Sequence, residues 1–121
     1  MKVLVIQEEG EARDNLVRFL KSGGAEVVES RPTWPGFFHT AKDERPAVAV
    51  VDCTEPGPGR ECAGYLGETG FTNLIKVLAI NVPTDRVARL KQRAPKAQIV
   101  AVDDLGDALR QIDPGFGATS D

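Results

Sequence analysis

Four short apolar runs, Val3 to Ile6, Ala47 to Val51, Val77 to Ile80 and Ile99 to Val102, punctuate the chain, with a weaker one at Val27-Val28. They are rich in Val and Ile and continuous instead of alternating, which predicts strands of a parallel sheet covered on both faces. Between them apolar positions recur at helical spacing. Ala12, Leu16, Phe19 and Leu20 define one face of a first helix, stopped by Gly23-Gly24. A second is expected to open with Thr33 as N-cap and Pro35 in its first turn, and to carry Phe37, Phe38 and Ala41 before the Arg45-Pro46 boundary. The third connection, Arg60 to Asn73, has an apolar side in Cys62, Tyr65 and Leu66. It is the weakest helix, because Gly64, Gly67 and Gly70 each cost up to about 1 kcal/mol relative to Ala. Thr84 and Asp85 open a fourth, with Val87 and Leu90 inward and Pro95 as its stop. The fifth begins at the Asp103-Asp104 pair and buries Leu105, Ala108, Leu109 and Ile112.

The resulting order, βαβαβαβαβα with right-handed crossovers, is that of an open α/β doubly wound five-stranded parallel sheet with helices on both faces and strand order 2-1-3-4-5. One domain is expected over residues 1–113, with 114–121 as a flexible C-terminal tail. In such sheets the functional crevice lies beyond the carboxyl ends of the strands, near the switch point between the first and third. That rule selects Gln7, Glu8, Glu9, Asp52, Cys53, Thr54 and Asn81.

Composition narrows the field only a little. At 121 residues the chain has room for one domain, and a net charge of -3 points neither to nucleic acid nor to a membrane surface. The first apolar run is cut at once by Glu8 and Glu9, so neither a signal peptide nor a membrane span is expected, and the location implied is cytoplasmic. Cys53 and Cys62, with no second pair and no His nearby, suit free thiols better than zinc or a disulfide framework. His39 has no Ser, Cys or second His at usable spacing, and Gly57-Pro58-Gly59 reads as a turn, not a nucleotide loop.

Three segments carry a resemblance. Lys2 to Glu9 reads Lys-Val-Leu-Val-Ile-Gln-Glu-Glu, Arg45 to Asp52 reads Arg-Pro-Ala-Val-Ala-Val-Val-Asp and is followed by Pro56, and Leu74 to Asn81 ends a further strand. From Lys2 to about Ile112 the chain resembles the receiver domains of two-component signalling, the CheY-like response regulators of flavodoxin-like fold. The resemblance implies that Asp52 stands at the phosphoacceptor position and that Gln7 and Glu8 occupy the places of an acidic pair. It also puts Asn81 where the family has Thr or Ser, Val102 where it has a lysine, and Ile99 where it has a switch aromatic. A magnesium ion (Mg2+) would be held by the acidic pair, the phosphoacceptor and a backbone carbonyl, here that of Thr54.

The departures touch the chemistry directly. Magnesium needs oxygen ligands at near-ideal octahedral distances; Gln7 removes one charge from that set, and Glu8 displaces its carboxylate by a methylene. Phosphoryl transfer rests on positioning and charge neutralisation, so Val102 leaves the phosphoryl group without its counter-charge. Asp52 is thus read three ways: phosphoacceptor, weak metal ligand together with Glu8, or an acidic residue at a strand end, the last leading. The expected function is a phosphorylation-independent pseudo-receiver, a protein-protein interaction module with no enzymatic activity and no cofactor. The alternative is a single-domain response regulator, phosphorylated on Asp52 in a phosphorelay with Mg2+. The expected partner is another signalling protein; homodimerisation is left open, and neither nucleic acid nor membrane insertion is expected. Arg86, Arg89 and Arg93, at i, i+3 and i+7, form one stripe beside Ile99 on the expected partner-binding face. Trp34, Phe37 and Phe38 are read as core packing with a hydrophobic staple, or else as an exposed patch.

Overall fold

The computed structural model describes residues 1–117. Strands β1 (Lys2–Ile6), β2 (Glu26–Ser30), β3 (Val48–Asp52), β4 (Lys76–Ile80) and β5 (Gln98–Ile99) alternate with helices α1 (Glu11–Ser22), α2 (Gly36–Glu44), α3 (Gly59–Glu68), α4 (Val87–Arg93) and α5 (Leu105–Ile112). The sheet order is β2-β1-β3-β4-β5 and every pairing is parallel, as the apolar pattern predicts. The run Val3 to Ile6 is continuous because both faces of β1 are covered. Val3 and Val5 pack with Leu16, Leu20, Leu105 and Leu109 of α1 and α5. Leu4 and Ile6 pack on the other face with Phe37, Leu66 and Leu90 of α2, α3 and α4. The four side chains from Val3 to Ile6 are fully buried, and each such burial contributes about 1.5–3 kcal/mol.

Several local expectations are corrected. β5 is an edge strand that ends at Ile99, and Val102 falls in a short 3-10 turn that leads into α5. The Val100 N–H still reaches the Ala79 carbonyl at 2.9 Å, after which the chain turns away from the sheet. α3 stops at Glu68, five residues short of Asn73, where Thr72 folds back to give its hydroxyl to the Leu66 carbonyl at 2.7 Å. Thr33 does not cap α2 with its side chain; its carbonyl accepts the Phe37 N–H at 3.1 Å, and Pro35 holds the cap position. Phe37 is core, but Trp34 is 57% exposed and stacks on Tyr65 with ring centroids 4.8 Å apart, so the aromatic cluster is only partly interior. On α1 the inward face is Leu16, Val17 and Leu20, with Ala12 and Phe19 at its rim.

The expected tail is corrected as well. Phe116 is 3% exposed and joins the core against α1, so the chain stays packed through Gly117; residues 118–121 of that tail lie outside the described residues. Among the described residues no helix is long and apolar enough to cross a membrane.

Candidate functional site

The strand register brings the ends of β1, β3 and β4 together. Ile6 lies opposite Val51 and Asp52 opposite Ile80, so Gln7, Asp52 and Asn81 meet at one carboxyl edge. Gln7 Nε2 donates to Asp52 Oδ2 at 3.1 Å, and Asn81 Nδ2 donates to Asp52 Oδ1 at 3.2 Å. The Thr54 backbone N–H and hydroxyl donate to the same Oδ1 at 3.0 and 2.6 Å. Asn81 has φ 59°, in the left-handed region that Asn tolerates and β-branched residues resist. Where the resemblance implies Thr or Ser, the backbone therefore supplies a local reason against Thr and suits the amide that stands there. Gly59, the first residue of α3, is required for a related reason: a Cβ there would collide with the Asp52 carbonyl, so only glycine lets α3 start against the end of β3.

Asp52 is half-buried, and burial is the largest single influence on it, acting to raise its pKa. The hydrogen bonds from Thr54, Asn81 and Gln7 together outweigh burial and hold the carboxyl below its ordinary value. Every one of these donors is neutral. Glu8 is exposed and turns outward toward Arg31, at 3.7 Å, and does not join Asp52. Val102 is half-exposed and has no charge to offer. Cys53 and Cys62 are free and buried, and burial foremost pushes both thiols up to about 12.

Two residues the sequence reading passed over brace this edge. Arg13 donates to the Gln7 backbone carbonyl at 3.2 Å and pairs with Glu29 at 3.3 Å and Glu9 at 4.0 Å, which pins the β1–α1 loop. The available signal was Glu9 one helical turn before it. Glu55 pairs with Arg60 at 3.3 Å and Arg86 at 4.0 Å, joining the starts of α3 and α4; nothing in the sequence marks that arrangement.

Magnesium would require converging oxygen ligands. Here Gln7 presents an N–H to Asp52, its own Oε1 is buried without a partner, and Glu8 is engaged elsewhere. Among the described residues no three His, Cys, Asp or Glu side chains cluster to hold a metal ion. The side chains as placed do not fit the ion.

The expected arginine stripe is divided. Arg86 lies in a 3-10 turn ahead of α4, with a tighter winding than the helix, and pairs with Asp85 at 3.3 Å as well as Glu55. Arg93 faces α3, where it binds Glu61 at 2.9 Å and Glu68, with its guanidinium 5.2 Å from the Tyr65 ring centre. Arg89 alone of the three is exposed, and Ile99 is partly buried against the α2–α4 side of the core.

No protein-family model matches the sequence, and no curated protein does. Solved structures do match. The signal receiver domain of a modulated diguanylate cyclase from Desulfovibrio desulfuricans is 25% identical, with a TM-score of 0.71 over 96% of this chain and 92% of that one. The chemotaxis protein CheY4 of Vibrio cholerae is 16% identical, with a TM-score of 0.76 over 92% and 97% of the two chains. The chain has the receiver fold. A third such structure, the receiver domain of a sensor histidine kinase from Pseudomonas aeruginosa, is 14% identical with a TM-score of 0.74 over 91% and 94% of the two chains. That receiver domain has a magnesium ion coordinated in its active-site cleft. In the present chain the same receiver fold carries Gln7 and Asn81 as amide donors around Asp52.

Proposed function

We propose that this chain is a receiver-like signalling protein that works by binding another signalling protein, without phosphorylation of Asp52, without a cofactor and with no chemistry of its own. The observation that carries the reading is the set of four neutral hydrogen bonds on the Asp52 carboxylate, from Gln7, Asn81 and Thr54. Phosphoryl transfer is catalysed by positioning and by neutralising charge on the transferred group. Here the acceptor oxygens already hold donors, and the arginines around this edge, Arg13, Arg31 and Arg60, are paired with Glu29, Glu9, Glu8 and Glu55. A phosphoryl group arriving at Asp52 would meet amides where it needs cations. We assign the face of α4 and β5, with Arg89 outward, to the partner; an exposed cation of this kind raises association with an acidic surface in a salt-dependent way.

The ionised state of Asp52 is what favours the second reading, a single-domain response regulator phosphorylated on that residue. Incubation with acetyl phosphate and magnesium, followed by intact-mass measurement, separates the two. The protein is expected to stay unmodified. Stoichiometric addition of one phosphoryl group, absent in Asp52→Asn, would put the second reading in first place.

A further inference from the structure

The turn between α3 and β4 presents two large apolar side chains to water. Phe71 is 71% and Leu74 94% exposed, more than any other large apolar residue among the described residues. The turn itself is well fastened. Buried Thr72 accepts the Thr69 hydroxyl and donates its own to the Leu66 carbonyl, while the Asn73 N–H returns to the Thr69 carbonyl at 3.0 Å. With Thr72 turned inward, its neighbours face out from a fixed turn, so little order remains to be imposed on them by a partner. Beside them lies a groove of about 660 Å³, lined by Phe71, Leu74 and Ile75 from this turn and by Lys42, Arg45 and Pro46 from the end of α2 and the residues after it. Apolar side chains scattered singly over a surface are ordinary, but a pair bordering a groove marks a place where something docks.

The charge around the groove selects the occupant. Lys42 holds its Nζ 4.8 Å from the centre of the Phe71 ring, and Arg45 is exposed just beyond it in the chain. Lys76 opens β4 next to Ile75, and Lys96 shares a small cleft with Asn73. All four cations are exposed, and among the described residues none of them is in an ion pair. On the acidic side, Asp43 alone lines the groove, and Glu44 is taken by Lys2 at 3.2 Å. A chain with a net charge of -3 thus gathers four uncompensated cations around one apolar groove. The dipole at the C-terminus of α2 accounts for Lys42 and Arg45, but not for Lys76, Lys96 or the exposed apolar pair. A basic partner would be repelled here, and a concave groove takes a projecting side chain, which a flat lipid surface does not supply. We propose that this groove docks an acidic peptide segment of a partner protein, whose bulky apolar side chain enters beside Phe71 and Leu74 while its carboxylates face Lys42, Arg45, Lys76 and Lys96. The surface lies at the amino end of the strands, opposite Asp52 and apart from the face of α4 and β5, so it holds whether or not Asp52 accepts phosphate.

The test selects phage-displayed random peptides on the full chain, with counter-selection on a double variant, Phe71→Ala with Leu74→Ala. Peptides that bind the wild type and not this variant are expected to carry net negative charge and at least one large apolar residue. A synthetic peptide of the enriched sequence should bind a second double variant, Lys42→Gln with Arg45→Gln, at least about tenfold more weakly, and should weaken on the wild type as salt is raised. Both variants alter exposed side chains and should keep the dispersed NMR spectrum of the folded protein. Leu74→Ser alone, at the more exposed of the two apolar positions, gives the same readout if the apolar pair proves to disturb the fold. Discriminating peptides that are neutral or basic, no discriminating peptide at all, or undiminished affinity in the charge variant would overturn the proposal. So would sedimentation of the wild type with phosphatidylserine vesicles, or its self-association, if the apolar double variant abolished it, since either names a different occupant.

Discussion

Gln7 and Asp52 meet across the seam between β1 and β3 through a 3.1 Å hydrogen bond in which the amide is the donor. An N–H pointed at a carboxylate does part of what a cation would do, because it favours the ionised form. It does so without charge, so Asp52 stays ionised while the edge as a whole stays negative. The burial of Gln7, at 5% exposure, makes the contact hard to replace by water.

Introducing a carboxylate at this position should therefore destabilise the protein. In Gln7→Asp the donor is lost and two like charges face each other in a poorly solvated place, which costs about 2 kcal/mol at neutral pH. Millimolar magnesium is expected to recover part of that loss, since two carboxylates then offer oxygen ligands to the ion. The wild type should show no magnesium response. Thermal unfolding with magnesium and with a chelator checks both; a variant as stable as wild type in the chelator would show that the Gln7 contact contributes little.

Asp52 also sets a pH dependence. Its folded pKa is depressed, because the donors from Thr54, Asn81 and Gln7 outweigh the effect of burial. A depressed carboxyl pKa contributes stability above its unfolded value, about 3.9, and loses that contribution as pH falls through the folded value. The stability gap between wild type and Asp52→Asn is thus expected to be constant near neutrality and to narrow below about pH 4. Denaturant unfolding of both proteins across that range measures it, and a gap that widens with acid would reverse the sign assigned here.

The sheet was legible in the sequence because burial on both faces writes itself as uninterrupted Val and Ile, and strand ends follow from strand positions. Gln7, Asp52 and Asn81 could be placed together on that ground alone. Their hydrogen bonds could not, since Glu8 and Gln7 differ in burial by one step of the strand, and the left-handed turn at Asn81 leaves no pattern. The arginines were misread for another reason. Periodicity ranks positions along a single helix, whereas Arg93 is held by Glu61 and Glu68, 32 and 25 residues earlier on α3. Phe116 was missed because its neighbours, Gly115 and Gly117, suggest a loose end.

Phe116 should carry measurable stability despite its place near the end of the chain. Its ring meets Phe19 edge-on with centroids 5.8 Å apart, and it sits over Gly23, where a Cβ would collide with it. The Gly117 N–H closes the contact by donating to the Gly23 carbonyl at 2.9 Å. Phe116→Ala is expected to cost about 3 kcal/mol, and Gly23→Ala to act in the same direction by unseating the ring. Urea unfolding gives the values, and a Phe116→Ala midpoint equal to wild type would return this segment to the status of a tail.

Arg89 and Arg93 follow one spacing in the sequence but part company in the structure. Arg93 holds two glutamates and lies over the Tyr65 ring, whereas Arg89 points to solvent from the same helix. Exposed ion pairs contribute about 0.2–1 kcal/mol each and a cation–π contact about 0.5–1 kcal/mol. Arg93→Ala is therefore expected to lose about 1–2 kcal/mol, and part of that loss should vanish at high salt, where the ion pairs are screened in the wild type as well. Arg89→Ala should stay within about 0.5 kcal/mol of wild type. For partner binding the order reverses: Arg89→Glu should weaken the complex about tenfold, roughly 1.4 kcal/mol, with the fold unchanged. Stability and affinity measured on both variants decide the matter, because a destabilised Arg89→Ala or an Arg89→Glu that binds as tightly as wild type would remove α4 from the partner face.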